Sequence, residues 1–494
     1  MKPLPPRLFV VLGWLVAIPT AGVEARRPNI VLMMADDLAW GETGYNGHPH
    51  VQTPVLDEMA RTGLRLDRFY AASPVCSPTR ASVMTGRHAN RSGAFAPNFS
   101  TRPEEITIAQ ILRMAGYRTG HFGKWHLGAV KQESPVNPGR MGFEEYLSHD
   151  NFFEMNPPLS RNGAPPEIHP GEGSEIIVAE AEQFARRVHG EGKPFFIVIW
   201  FGSPHGPYSG TAEDVGRYAA VPNEDLRRRY AEITAMDRAI GRFRRTLRGL
   251  DVAENTLVWF NSDNGLPREH KGESFDGGWR GAKGEVYEGG IRVPGLIEWP
   301  AVVRQPRRSA VPGVTSDIFP TVLDLLQLRS PLPERPIDGL SLRALIVDGT
   351  MRERPAPIGF WRYAAQGERN NGRWIDVELA RGTTPTTRNP AIDFLNFKHP
   401  VARTSDFEGE AAWTDNRFKL HVGEGRRAAA KGAKETRGAK GGAVGGVELF
   451  DLLADPHERT NLAAEHPEVV QRMTRELHAW QRSVERSLSG ADYR

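Results

Sequence analysis

The chain has 494 residues, 39% hydrophobic and 25% charged, with 51 glycines, 38 prolines and a single cysteine. That composition excludes a wholly disordered chain and a disulfide-stapled scaffold, since one cysteine cannot form an internal bridge. A net charge of +3 is too small to point to nucleic acid, despite an isoelectric point near 8.9.

Lys2 and Arg7 precede an apolar run from Leu8 to Ile18, and Val23-Glu24-Ala25 offers a small-residue cleavage site before Arg26. This pattern predicts a signal peptide over residues 1–25, cleaved near Ala25, and export to the periplasm or the medium. The run falls short of the ~20 apolar residues that cross a bilayer, so no membrane span is expected.

Asn29 to Met34 is continuously apolar and ends in Ala35-Asp36-Asp37, as a strand buried on both faces reads. Phe195 to Phe201 is a second such run, ending in Ser203-Pro204-His205. Thr256 to Phe260 is a third, ending in Asn261-Ser262-Asp263-Asn264-Gly265. Helical stretches lie between them at Glu175 to Val188 and Leu226 to Leu247, the latter with Ile233, Met236, Ile240 and Phe243 on one face. The alternation predicts an α/β fold: a large, mostly parallel (mixed) sheet sandwiched by helices. Ligands of such sheets sit beyond the carboxyl ends of the strands, so the polar endings are expected to converge on one edge.

Residues 26–349 read as this α/β domain and 350–494 as a smaller C-terminal α+β subdomain. In the latter, Glu410 to Asp415, Arg417 to Val422 and Val447 to Leu452 are short alternating segments predicting antiparallel strands, and a helix is expected from Pro467 to Leu488. Between two of those strands lies a low-complexity basic insert, 423–446. It carries Arg426, Arg427, Lys431, Lys434, Arg437 and Lys440 against Glu424 and Glu435. It reads as a disordered hairpin insert, or more sharply as an electrostatic tether for a polyanionic glycan.

The cysteine opens Cys76-Ser77-Pro78-Thr79-Arg80, and the residues up to Thr85-Gly86 predict a short helix closed by glycine. At a helix N-terminus Cys76 is expected to have a lowered thiol pKa and a neighbourhood that favours anions; the bland alternative is an inert, buried thiol. Asp36, Asp37, Asp263 and Asn264 offer only oxygen, which suits Ca²⁺ or Mg²⁺, although an acidic pair at a strand end also serves as a turn or cap. In Gly123-Lys124-Trp125-His126-Leu127-Gly128, Lys124 and His126 lie two apart on an extended segment, so both can face one anion. Arg280 to Pro294 is a second Gly-rich stretch, centred on Lys283. It is not a nucleotide P-loop, because the glycine spacing is wrong and no Ser or Thr follows the lysine. No H-E-x-x-H or paired C-x-x-C zinc motif is present.

Together these segments resemble the formylglycine-dependent sulfatases of the alkaline-phosphatase superfamily (Cys-type, arylsulfatase-like). The matching stretches are Asn29 to Asp37, Ser73 to Gly86, Gly120 to Gly128, Ser203 to Pro207, Asn261 to Gly265 and Arg280 to Pro294. Leu449-Phe450-Asp451-Leu452, Asp455-Pro456-His457-Glu458 and Asn461-Leu462 follow in order. The resemblance implies an alkaline-phosphatase-like fold and hydrolysis of a sulfate ester, the expected substrates being a sulfated carbohydrate first and an aryl sulfate second. It implies Ca²⁺ (or Mg²⁺) held by Asp36, Asp37, Asp263, Asn264 and the modified Cys76, whose formylglycine, made by a formylglycine-generating enzyme, is the nucleophile. It further implies that Arg80, Lys124 and His126 hold that nucleophile, His126 as a base. His205 and Lys283 would then face the sulfate and the leaving oxygen, His205 as proton donor.

Two rival functions stay open: phosphonate monoester or phosphodiester hydrolysis with the same aldehyde and cation, and non-catalytic glycan binding. Ser148, His149 and Asp150 stand where relatives carry substrate contacts. Trp361, Arg362 and Tyr363 read either as a sugar subsite or as core. Specificity is expected in the loops 147–173 and 360–398, where the resemblance is weakest.

Overall fold

Seven consecutive buried residues, Asn29–Ala35, form the strand around which a ten-stranded sheet is built. The computed structural model describes residues 27–493 apart from 98, 152, 332–333, 363–406, 408 and 424–445. The expected signal segment 1–25, Tyr363, most of the loop 360–398 and nearly all of the basic insert lie outside the described residues.

Thr256–Ser262 and Phe195–Trp200 flank the first strand, both parallel to it. Arg118–Lys124 and Glu145–His149 extend the parallel run on the Phe195–Trp200 side. The sheet then turns antiparallel at both margins: Gly295–Glu298 and Leu64–Leu66 on one side, and Pro158–Arg161 and Glu167–Ile168 on the other. Arg307–Ser309 closes the first margin, parallel to Leu64–Leu66. The strand period of two sorts the first strand between two cores. Val31, Met33 and Ala35 pack with helices Gly173–Gly190 and Glu224–Gly249, through Ile177, Phe184, Ile233 and Met236. Ile30, Leu32 and Met34 pack on the opposite face with Ala81, Val83, Ile108 and Phe319.

Register brings the strand ends level. Met34 lies opposite both Asn261 and Trp200. The Asp36 N–H donates to the Ser203 carbonyl and the Asp263 N–H to that of Ala35, at 3.0 and 3.1 Å. Asp36, Asp37, His205, Asp263 and Asn264 therefore leave the sheet along one edge.

The C-terminal sheet is antiparallel and has four strands: Ile358–Trp361, Ala411–Thr414, Phe418–Val422 and Val447–Asp451. Helix Pro467–Leu488 lays Met473, Leu477 and Val484 on it, against Trp413, Leu420 and Leu449. Trp361 belongs to this cluster and is buried, so of its two readings the structure bears out core. Arg362 pairs with Glu410 at 3.1 Å.

One buried carboxylate ties the helices beneath the sheet. Asp237 accepts from the Val55 and Leu56 N–H groups at 3.0 and 2.8 Å, and thereby caps helix Pro54–Thr62. Burial, helped by the charge of Asp57, pushes its carboxyl up to about 7. The folded chain thus keeps a proton that the unfolded chain has lost, and stability from this group falls as pH rises from about 4 to about 7. Asp237→Asn is expected to flatten that part of the profile. Between about pH 4.5 and 7.5 the variant should lose on the order of 3 kcal/mol less than wild type in denaturant titrations.

Candidate active site

Helix Cys76–Thr85 delivers the cysteine to this edge. All ten of its residues are buried, and it ends at Gly86, whose φ of +71° glycine adopts without strain. Cys76 occupies the first helical position and its Sγ lies 3.4 Å from Asp36 Oδ1. The expected lowering of the thiol pKa does not hold. Burial, reinforced by Asp263 and Asp36, pushes the thiol well above its usual value, against the opposing charges of Lys124 and Lys283.

Three buried carboxylates meet three cations. Lys124 Nζ donates to Asp36 Oδ2. Lys283 Nζ donates to Asp37 Oδ2 at 2.6 Å. Arg80 donates to Asp263 Oδ2 at 2.8 Å and stands 3.5 Å from Asp36 Oδ2. The Asp37 N–H donates to Asp263 Oδ1 at 3.0 Å, and Asn264 Nδ2 to Asp37 Oδ1 at 2.7 Å. Arg80 also donates to the Lys124 carbonyl at 3.2 Å, and its guanidinium lies 5.1 Å from the centre of the Trp200 ring.

The compensation is uneven. Burial opposes ionisation of Asp36, but Lys124, His205, Arg80 and Lys283 outweigh it and hold that carboxyl well below the usual range. At Asp263, burial and repulsion from Asp36 win over Arg80, and the carboxyl rises to about 7. Burial lowers His126 strongly, with Lys124 and Arg80 adding to it, so the ring is neutral.

His205 and Lys283 differ from the rest in being open to solvent, each with 21% of its side chain exposed. They mark the mouth of the site. His205 donates through Nδ1 to the Gly206 carbonyl at 2.6 Å and turns Nε2 to within 3.7 Å of Asp37 Oδ2.

All ten residues singled out in the sequence thus lie at this edge, with two differences of detail. Strand Arg118–Lys124 ends at Lys124, and His126 takes a left-handed φ of +54°, so alternation along one extended segment does not orient the pair. The ligand-type atoms of Asp36, Asp37, Cys76 and His205 all lie within 4.8 Å of one another, which adds His205 to the group that can hold a cation. Asn264 Oδ1 is buried and has no hydrogen-bond partner among the described residues. Hard oxygen donors and an unused buried acceptor fit a divalent cation.

Ser148 Oγ bonds to His121 Nδ1 at 2.7 Å, the Asn151 N–H donates to His149 Nδ1 at 3.1 Å, and Asp150 Oδ1 accepts from the Val130 N–H at 2.7 Å. These are bonds within the framework.

A sulfatase family model matches residues 28–328. The chain belongs to the sulfatase family. It is 32% identical to the N-acetylgalactosamine-6-sulfatase of Mus musculus over 364 residues, which cover 66% of this chain and 68% of that relative. To the arylsulfatase A of Homo sapiens it is 33% identical over 375 residues, 67% and 70% of the two chains. The crystal structure of Ps i-CgsB in complex with k-i-k-neocarrahexaose shares the fold, with a TM-score of 0.74 at 22% identity over 95% of this chain and 97% of that one. Sulfate-ester hydrolysis is accordingly the reaction class of this sulfatase.

Sequence reasoning missed Arg229. It reads as one of three consecutive arginines on helix Glu224–Gly249, yet it is wholly buried. It pairs with buried Glu42 at 2.5 Å and donates to the Asp37 and Pro204 carbonyls, both at 2.6 Å, fastening two strand-end loops to one helix. The signal was its place on the helix: Arg229 precedes Ile233, Met236, Ile240 and Phe243 on the same buried face at spacings of three and four, unlike half-buried Arg227 and exposed Arg228. Arg229→Met leaves Glu42 buried without its counter-charge and is expected to cost about 3–5 kcal/mol in chemical denaturation, while Arg229→Met with Glu42→Gln recovers part of the loss.

Proposed function

We propose that this sulfatase removes sulfate from a carbohydrate sulfate ester, using formylglycine made from Cys76 and a divalent cation, Ca²⁺ or alternatively Mg²⁺. The observation that carries the reading is the convergence of the single cysteine, three carboxylates and three cationic side chains in one buried site with a solvent-facing mouth. When present, the cation polarises sulfuryl oxygens and the hydrated aldehyde supplies the nucleophilic oxygen.

The chain's own residues do the rest. Asp36, Asp37, Asp263 and Asn264 hold the cation, and Arg80 fixes the carboxylates and the nucleophilic residue from below. Lys124 and Lys283 balance the acidic pair, and Lys283, reaching the mouth, meets the ester's sulfate. His126, buried and neutral, takes a proton from the nucleophilic residue; His205, at the mouth, passes one to the leaving oxygen. Three carboxylates and three cations sum to zero, so a divalent cation leaves the site positive, as an anionic ester requires.

Support for a sugar substrate comes from what similar proteins are called: one relative is an N-acetylgalactosamine-6-sulfatase, and one solved structure holds a neocarrahexaose. The reading assigns chemistry to residues 26–349 and bracing to 350–494, maturation to a formylglycine-generating enzyme, and export to cleavage near Ala25. Among the described residues no helix is long and apolar enough to cross a membrane.

Mass spectrometry of the peptide containing residue 76, from protein made in its own host, is expected to find an aldehyde; complete retention of the thiol contradicts the proposal. Turnover of sulfated sugars and aryl sulfate should exceed that of aryl phosphonates and phosphodiesters on the same preparation, and the reverse order would favour phosphoryl transfer. Cys76→Ala should lower kcat by roughly 10⁴-fold or more. Lys283→Met should lower it by about 10²-fold without unfolding the chain.

A further inference from the structure

A cavity of about 600 Å³ opens beside the strands Leu64–Leu66 and Arg307–Ser309, with Arg68, Arg307, Arg308, Arg352, Glu353 and Asn416 in its lining. Those strands lie three and four places along the sheet from Asn29–Ala35. Thr256–Ser262, which leads into Asp263 and Asn264, is two places from the nearer of them, so at ~4.8 Å per strand the cavity is displaced by about 10 Å or more from the acidic cluster. None of the residues assigned to the reaction lines it.

Four guanidinium groups line this space with one carboxylate, Glu353. Arg308 is answered by Asp67 at 3.0 Å. The other three are held by carbonyls. Arg68 donates to Asn416 O at 2.6 Å, with a longer contact of 3.5 Å to Asp415 O. Arg307 donates to Ile346 O, and Arg352 to Gly349 O at 2.7 Å. A carbonyl orients a guanidinium without cancelling its charge. Among the described residues none of these three has a carboxylate within 4.0 Å.

Arg68 adds an independent sign. It is 5% exposed, and its Nε has no hydrogen-bond partner among the described residues. A buried donor left unpaired costs about 1–3 kcal/mol, although Tyr70 and the more distant charges of Glu288 and Asp415 also bear on this guanidinium. The planar fork of a guanidinium matches the oxygens of a sulfate or phosphate group. The volume exceeds that of an inorganic ion and falls in the range of organic-ligand sites.

We infer that this cavity is an oxyanion-binding site, taking a sulfate or phosphate group that is either free or carried on an oligosaccharide. Such a site lets the protein grip a second anionic group of a ligand while the catalytic edge works elsewhere, or lets it sense the free ion.

Calorimetric titration tests this, with inorganic sulfate and a multiply sulfated oligosaccharide as probes of the full chain and of an Arg307→Met/Arg352→Met variant. Wild type is expected to show a sulfate-binding event that weakens about 10-fold or more in the variant, because two charge-assisted contacts are lost. Turnover of a monosulfated monosaccharide should not change. A parallel loss of oligosaccharide affinity identifies the carried group as the ligand; a loss confined to inorganic sulfate identifies the free ion. Unchanged affinity for both probes in a folded variant overturns the inference. Arg352→Glu alone, at an exposed position, repeats the test should the double substitution not fold. Inorganic sulfate is no ester, and with Cys76→Ala added to both chains the oligosaccharide is not turned over either, so this result is separable from the fate of the proposed reaction.

Discussion

Mutual repulsion among Asp36, Asp37 and Asp263, three buried carboxylates lying side by side, is the constraint to which this edge of the sheet is built. Taking even one charge out of water costs several kcal/mol, and here three lie side by side. Each is met by its own cation: Lys124, Lys283 and Arg80. The match is incomplete at Asp263, whose carboxyl remains raised, and at Asn264, whose Oδ1 accepts nothing among the described residues. The raised carboxyl and the unused oxygen lie in the same place, and a divalent cation bound as proposed would favour ionisation of the one and take up the other.

The surrounding structure holds these charges in place. Arg229 and Glu42 clamp the loops after two parallel strands to the longest helix. The loop bearing Lys283 is fixed at its active-site end, where the Lys283 N–H donates to Leu266 O and that of Gly284 to Pro74 O. Its far end is fixed by the C-terminal sheet. There buried Lys419 pairs with Glu288 and Glu458 at 3.2 and 2.8 Å, and Arg280 pairs with Glu448 at 3.1 Å. The smaller sheet thus braces one wall of the site.

Legibility followed burial. Runs such as Asn29–Ala35 and Thr256–Ser262 are apolar on both faces, so the strands and the acids that end them could be read directly from the sequence. Arg118–Lys124 is equally a central strand, but it carries His121 and two glycines, and no hydrophobic pattern marks it. Gly123 is required there because a Cβ would fall 1.9 Å from the Trp200 carbonyl oxygen. The short marginal strands escaped for want of length. At the site, residue types were legible because their chemistry is unusual, whereas magnitudes were not. A helix N-terminus argues for a lowered Cys76 pKa until the carboxylates packed against it are counted, and only the fold brings them there. Arg229 sits on the buried face of its helix, but a charged residue there reads as an interruption until its distant partners Glu42 and Asp37 are known, and only the fold brings them.

The most direct test of the account is the cation itself. Metal analysis of purified protein, with equilibrium dialysis against Ca²⁺ and Mg²⁺, should find one tightly held divalent ion per chain. That ion should be lost in Asp36→Asn and Asp263→Asn, while Arg352→Glu retains it. A folded wild-type chain that binds no divalent cation would contradict the central claim, because the buried carboxylates would then be balanced by Arg80, Lys124 and Lys283 alone.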